Sequence, residues 1–170
     1  MVTTNIIYCG DCKDIMSGFP ANCVDLIYLD PPFFSNRHFE VIWKDGAELR
    51  AFADRWKGGI NHYVSWMAER LEQCHRVLKT TGSIYLHCDW HASHYLKVEM
   101  DRIFGYRNFR NQIIWQRTSV HNDPKQFGRI HDVILYYGKS DKVIWNPQFK
   151  PYNEEYLKQV YKHKDKKGLF

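Results

Sequence analysis

The sequence contains no long uninterrupted run of apolar residues. None of its runs approaches the ~20 residues that a membrane-spanning helix requires, and the N-terminal residues lack the basic-then-apolar pattern of a secretory signal. These two absences predict a protein that has no membrane as partner and that works in the cytoplasm.

Motifs of several enzyme classes are also missing. The chain has no phosphate-binding G-x-x-x-x-G-K-[ST] loop, no G-x-G-x-x-G dinucleotide fingerprint and no G-x-S-x-G nucleophile elbow. These absences argue against P-loop nucleotide hydrolysis, against a Rossmann dinucleotide site and against covalent catalysis by an activated serine.

Cysteine is infrequent, and its number is odd. The five cysteines are scattered along the chain, which predicts reduced thiols of a core and not a disulfide framework. Cys9 and Cys12 have a two-residue gap, but no second pair follows at zinc-finger spacing. In the denser cluster of 87–94, His87 and Cys88 are predicted to point to opposite faces of a strand. We therefore expect no metal site.

The composition that is present predicts one folded globular domain. Hydrophobic residues make up 44% and charged residues 25% of a 170-residue chain, which is long enough to bury a core. The formal net charge is +5, and positive residues gather in the second half, up to the run from Lys158 to Lys167. This distribution is compatible with a phosphate backbone as partner and equally with a solvated basic surface.

The stretch from Val24 to Phe34 is the strongest local signal. Val24 to Leu29 is a short, nearly uninterrupted apolar run, typical of a strand buried on both faces of a mostly parallel sheet. Pro31 and Pro32 cannot donate to a sheet ladder, so the strand is predicted to stop at Asp30. The Asp30 carboxylate would then lie beyond the carboxyl end of a strand, where open α/β sheets bind ligands. The alternative is a strand followed by a simple proline turn.

The surrounding pattern predicts an α/β fold. A strand over 5–9 and a helix over 11–18, capped by Asp11, precede the strand over 24–29, so the two strands are expected to pair in parallel. Further elements are predicted in the order helix, strand, helix, strand, strand, at 61–79, 83–88, 91–104, 109–116 and 131–138. The last two strands are expected to form an antiparallel edge pair on an otherwise mostly parallel sheet, with helices on both faces.

Individual positions follow from the periodicity of the two longer helices. Asn61 is the predicted cap of the first, and Tyr95, Val98 and Ile103 or Phe104 are predicted to face inward on the second. The inward stripe of the first helix is predicted to comprise Tyr63, Met67, Leu71, Cys74 and Leu78.

The segment from Ser35 to Ile60 has no clean period and mixes basic with aromatic residues. It contains Arg37, Trp43 and Trp56. Such a mixture suits contact with nucleic acid through stacking and phosphate pairing. Packing of each tryptophan against the core is an equally open interpretation.

The chemistry of Asp30 and its prolines fits an amino group on an aromatic base. The side chain and the carbonyls of Asp30 and Pro31 are acceptors, and the prolines add no competing N–H groups. Holding both amino hydrogens on acceptors would favour a pyramidal nitrogen, which could attack an electrophilic methyl group in line. Phe33 would stack on the base, which must first be flipped out of its duplex.

These residues resemble the amino-methylating DNA methyltransferases, in the permuted arrangement in which the catalytic motif precedes the cofactor-binding motif. The resemblance runs in the family's order over roughly 5–145. Its segments are Tyr8–Cys12, Asp25–Phe33, Gly82–Cys88, Phe109–Trp115 and His131–Tyr137 with Lys139–Asp141.

The resemblance implies a partial Rossmann-like methyltransferase sheet and DNA methylation of the restriction–modification kind. It implies S-adenosylmethionine as donor, double-stranded DNA as substrate, and adenine as target, because aspartate at the first motif position usually accompanies adenine. The same chemistry on the amino group of cytosine (N4) is the alternative. The implied site residues are, for catalysis, Asp30, Pro31, Pro32 and Phe33; for the cofactor, Asp11 and Asp30; and for DNA, Arg37, Arg117 and Arg129.

The chain departs from the family at its C-terminal end. The phenylalanine–glycine cofactor motif and a full target-recognition region are not found. We therefore expect residues 1–146 to be the catalytic half of a methyltransferase domain and 147–170 to begin a recognition region or linker. The rest would come from a longer chain, a homodimer or a complementary methyltransferase subunit. A non-catalytic fragment that binds DNA or such a subunit is the interpretation from another class.

Overall fold

The structure is a computed structural model that describes residues 4–35, 38–42, 48–53, 56–117, 124–149, 151, 153–160 and 162–169. The first half contains α1 (Cys12–Ser17), β1 (Val24–Leu29), β2 (His38–Ile42), β3 (Glu48–Ala53), α2 (Gly59–Val77) and β4 (Leu78–Cys88). The second half contains α3 (Ser93–Met100), a π-helical turn (Asp101–Gly105), a 3-10 turn (Tyr106–Asn108), β5 (Phe109–Gln116), β6 (His131–Gly138), α4 (Glu154–Val160), β7 (Lys164–Asp165) and β8 (Gly168–Leu169).

Four strands form one sheet in the order β1-β4-β6-β5. β1 pairs with β4 in parallel, and β6 pairs antiparallel with both β4 and β5. The α/β class and the antiparallel edge pair are thereby confirmed. Among the described strands of this sheet, however, only one of the three pairings is parallel, so the sheet is less parallel than predicted. The remaining strands form two separate hairpins, β2–β3 and β7–β8.

The predicted strand over 5–9 is wrong. Residues 6–9 have no regular secondary structure, and the ring of Tyr8 packs edge-on against Phe19 at 5.5 Å between centroids. A strand exists only where a neighbour completes its ladder, and β1 has β4 on one edge and no described strand on the other. The predicted parallel partner of 24–29 is therefore replaced by β4.

The buried stripe of α2 is confirmed, but the predicted ends of the helix are not. The helix begins at Gly59 with Gly58 as its cap, in a left-handed conformation at φ 110°, so Asn61 lies inside the first turn and does not cap it. The helix ends at Val77, and Leu78 is already the first residue of β4. The predicted inward residues are all buried: Tyr63, Met67, Leu71, Cys74 and Leu78.

The inward face of α3 differs from the prediction. Leu96, Met100 and Phe104 are buried, whereas Tyr95 is 51% and Val98 is 69% exposed. The buried residues recur at four-residue spacing, which places Tyr95 and Val98 on the opposite side of the helix. The prediction of Ile103 or Phe104 is confirmed, because Phe104 is buried and Ile103 is partly buried and packs against the core.

The hydrophobic core lies on one face of the sheet. Along β4, Ile84, Leu86 and Cys88 point into the core, while Tyr85 and His87 alternate onto the other face. Side chains of α1, α2 and α3 cover the core face. In the described part of the chain, helices therefore cover the core face of the sheet, and the predicted helices on the other face are not seen. No helix of the described part is long and apolar enough to cross a membrane.

Candidate active site

Asp30 follows the last residue of β1, at the edge of the sheet where the parallel strands β1 and β4 both end. Its side chain is 63% exposed. A cavity of about 310 Å³ lies beside it, lined by Gly10, Asp11, Cys12, Leu29, Asp30, Pro31, Pro32, Trp66, Met67 and Arg70. The structure thus brings the sequence-predicted Asp11, Asp30, Pro31 and Pro32 to one cavity, although Asp11 and Asp30 belong to different elements.

The proline turn is tied to the core by Tyr63. This buried tyrosine of α2 donates a hydrogen bond from its hydroxyl to the carbonyl oxygen of Pro32, at 2.6 Å. Its ring also lies 4.9 Å from Trp56, which packs against the core. Trp56 therefore follows the packing interpretation, whereas Trp43 lies outside the described residues. The Pro32 carbonyl therefore has a structural role: its hydrogen bond to Tyr63 holds the turn that carries Asp30 against the core.

Deleting the hydroxyl of Tyr63 tests this anchor. Tyr63→Phe is expected to lower the free energy of unfolding by about 1 kcal/mol, because the Pro32 carbonyl loses its donor while the ring packing stays. Urea denaturation measures the change. The matched control is Tyr95→Phe on the exposed side of α3, with an expected change within about 0.5 kcal/mol. Equal effects of the two variants would contradict the anchoring role.

Asp11 has a structural role in addition to lining the cavity. Its carboxylate accepts a hydrogen bond from the Lys13 N–H at 2.9 Å, which caps α1, and forms an ion pair with Arg70. Burial acts to raise the pKa of Asp11, but the Lys13 N–H and the Arg70 guanidinium outweigh it and lower this pKa below its ordinary value. The buried Arg70 also donates to the carbonyl of Trp66 at 2.7 Å and stacks on its ring at 3.5 Å. The carboxylate and the indole are thus fixed relative to each other on the cavity wall.

Phe33 and His87 form the side of the site that faces away from the core. Their ring centroids are 5.1 Å apart, at an interplanar angle of 64°. The His87 Nδ1 atom lies 3.3 Å from both the Asp30 Oδ1 atom and the Tyr28 hydroxyl oxygen, and its Nε2 atom lies 3.5 Å from Asp132 Oδ2. Burial and the charge of Asp30 raise the pKa of the Tyr28 hydroxyl, so this group stays protonated.

Sequence reasoning considered His87 only as a metal ligand and missed its place beside Asp30. The signal was available in the alternation of β4. A polar residue on the face opposite the apolar Ile84–Leu86–Cys88 set, at the carboxyl end of the strand next to β1, must lie near the residue that ends β1. Asp132 was also missed, because its proximity depends on the register between β4 and β6, which places Val133 opposite Cys88.

The predicted DNA-binding arginines lie at different distances from this site. Arg117 directly follows β5, and its Nε atom is 3.2 Å from Asp132 Oδ2, so it belongs to the same group of charges as His87. The guanidinium of Arg129 lies 3.5 Å from the ring centroid of Trp90, whose ring also stacks on His91 at 3.7 Å. Arg37 lies outside the described residues.

The arrangement can be compared with proteins of known class. The profile of a family described as DNA methylase matches residues 24–169 of the chain. The chain is 34% identical over 151 residues to the Type II methyltransferase M.EcaI of Enterobacter cloacae, a match that covers 85% of this chain and 31% of M.EcaI. The chain therefore spans about a third of the length of this relative.

Solved structures agree on the fold. The PvuII DNA methyltransferase, described as cytosine-N4-specific, superposes with a TM-score of 0.55 at 16% identity, over 80% of this chain and 49% of that chain. The M1.HpyAVI–SAM complex superposes with a TM-score of 0.52 at 16% identity, over 85% and 62%. The predicted partial methyltransferase sheet is confirmed. From the family match over most of its length, the chain belongs to the DNA methylase family, that of the amino-methylating DNA methyltransferases.

Proposed function

We propose that this chain is the catalytic half of a DNA methyltransferase that transfers a methyl group from S-adenosylmethionine to the exocyclic amino group of adenine in double-stranded DNA. The observation that carries the proposal is the position of Asp30. Its exposed carboxylate lies at the carboxyl end of β1, on a turn of Pro31 and Pro32 that is anchored by Tyr63, beside a cavity that also contains Asp11.

In the proposed reaction Asp30 acts directly on the target amino group. Its carboxylate and nearby carbonyl oxygens accept the two amino hydrogens, which keeps the nitrogen lone pair available and directed away from the ring. The nitrogen forms a bond to the methyl carbon as the carbon–sulfur bond breaks, and the sulfur keeps the bonding electron pair. One amino proton then leaves, through Asp30 or to water, and the methylated base is neutral. Phe33, next to His87, stacks on the flipped base.

The cavity beside Asp30 fits part of the proposed donor. Its volume of about 310 Å³ lies at the lower end of the ~300–1,000 Å³ typical of small-molecule sites. Asp11 supplies a carboxylate that can accept from hydroxyl or amino groups, and Trp66 supplies a flat apolar wall. When bound, S-adenosylmethionine supplies an electrophilic methyl group on a sulfonium sulfur.

DNA binding is proposed for the edge of the sheet that carries Asp30. Arg117 directly follows β5, which ends at this edge. Arg129 lies shortly before β6, which begins there. The ring of Trp90 fixes the direction of the Arg129 guanidinium, which reduces the entropy lost when the guanidinium binds a phosphate. Arg37 stays a prediction for the same role. The formal charge of +5 supports an anionic partner.

The organisation of the whole protein is also a proposal. Residues 1–146 would contribute the catalytic half, and 147–170 would begin a recognition region or linker. Since M.EcaI is about three times longer than its match to this chain, further sequence or a complementary subunit, including a second copy, would complete the donor site. A DNA-methylating enzyme of this kind would work in the cytoplasm.

Product analysis tests the proposal. The purified chain, alone and together with any further sequence that its reading frame encodes, is incubated with plasmid DNA and tritiated S-adenosylmethionine, and the digested nucleosides are identified by mass spectrometry. N6-methyladenine is the expected product. N4-methylcytosine would move the target to cytosine. Absence of methylated nucleosides, together with no donor heat in calorimetry, would refute the enzyme proposal and leave a chain that only binds DNA or a subunit.

A further inference from the structure

His87 lies between two carboxylates, one directly after β1 and the other in β6. Its Nδ1 atom faces Asp30 at the end of β1, and its Nε2 atom faces Asp132 in β6, at 3.3 and 3.5 Å. The Asp30 carboxylate is exposed to solvent, whereas the Asp132 carboxylate is buried. The Nε2 atom of His87 and the Oδ1 atom of Asp132 are both buried without a hydrogen-bond partner.

Each ring nitrogen of His87 faces a carboxylate oxygen. Carboxylates only accept hydrogen bonds, so a favourable contact with Asp30 requires the hydrogen of the imidazole on Nδ1. The groups that face His87 are the Tyr28 hydroxyl, Asp30, the Phe33 ring and Asp132, and Arg117 pairs with Asp132 from the solvent side. His87 therefore lies within 3.5 Å of both acids, with Asp30 on its Nδ1 side and Asp132 on its Nε2 side.

We propose that His87 is a positioning residue for Asp30. Its Nδ1–H orients the Asp30 carboxylate toward the target amino group, and Asp132, supported by Arg117, holds the imidazole through Nε2. The expected effect of His87 on the reaction rests on the proposed function. The contact between His87 and Asp30 does not depend on it.

The exposure of Asp30 explains why such a residue is needed. A carboxylate with 63% of its surface in solvent has several rotamers available, and only some direct an oxygen at the amino group. Because His87 is only 18% exposed and lies against Phe33, its ring provides a fixed reference. A misplacement of about 1 Å at a reacting group costs on the order of 100-fold in rate. Loss of the imidazole should therefore lower kcat and leave KM for DNA nearly unchanged.

Kinetics of three variants test the consequence. His87→Phe retains a ring beside Phe33 but has no N–H, and it is expected to lower kcat by about 10- to 100-fold. His87→Gln restores a donor and is expected to recover part of this loss. The control is His94→Gln in α3, which should leave kcat unchanged. An unchanged kcat in a folded His87→Phe protein, or a loss confined to KM, would overturn the positioning role.

An activity-independent measurement separates this inference from the proposed function. Long-range ¹H–¹⁵N spectra of the imidazoles are recorded for the wild type and for Asp30→Asn and Asp132→Asn, with His87 assigned by its absence in His87→Gln. Each replacement is expected to shift the His87 ring nitrogens and to leave those of His94 in place. Unshifted His87 signals in Asp30→Asn would overturn the inference even in an active enzyme. Shifted signals in a protein that transfers no methyl group would support the contact and refute only the proposed function.

Discussion

Asp30→Asn is expected to lower methyl transfer by at least about 100-fold, because it removes the carboxylate acceptor beside the transferred methyl group. Asparagine has nearly the same shape, but one of its two terminal groups is a donor, which would face a donor of the target amino group. The side chain is mostly exposed, so the free energy of unfolding should change by no more than about 0.5 kcal/mol. Single-turnover transfer of tritium to DNA measures the rate.

The control for this variant lies on the same strand. Asp25 is near the beginning of β1, is similarly exposed and contacts Lys79 at 2.8 Å, at the end opposite Asp30. Asp25→Asn should leave the transfer rate within about twofold, since an exposed ion pair is worth little. DNA affinity, measured by fluorescence anisotropy at one salt concentration, should be unchanged in both variants. Retained turnover in Asp30→Asn would remove Asp30 from the reaction.

Leu86→Ala is expected to have the largest effect on stability, lowering the free energy of unfolding by about 2–5 kcal/mol. Leu86 is fully buried in β4, a strand with neighbours on both sides, and it points into the core covered by the helices. Truncation leaves a cavity that this close-packed position cannot fill by collapse. Urea unfolding with an unchanged m value would give the difference directly.

The control for the core variant is Val98→Ala. Val98 is an apolar residue of α3 that was predicted to face the core but is exposed. Its side chain is mostly exposed, so its truncation should cost no more than about 0.5 kcal/mol. A loss below about 1 kcal/mol in Leu86→Ala, or equal losses in the two variants, would contradict the assignment of the core to that face of the sheet.

The parts of the fold that sequence reasoning predicted well are those with a strong local period. The α2 stripe from Tyr63 to Cys74 and the strand containing Ile84 and Leu86 were predicted because burial of one face imposes a repeat on the chain. The end of β1 was predicted because prolines cannot continue a ladder. The predicted burial of β1 on both faces was wrong, because Leu26 and Tyr28 are each more than half exposed. Positions without such a constraint were predicted less well. Asn61 is a residue type that commonly caps helices, but the N-cap of α2 is Gly58, which has a left-handed conformation.

The site divides along a similar line. The sequence by itself determined that a carboxylate ends β1, that two prolines and an aromatic residue follow it, and which family this order resembles, since all of these are properties of adjacent residues. Only the tertiary structure decided what surrounds that carboxylate. Tyr63 behind the turn, Asp11 across the cavity, and His87 and Asp132 beside Asp30 are four residues from four different elements or loops. Their meeting depends on strand pairing and register, and these are set by which buried faces pack together and not by any local pattern.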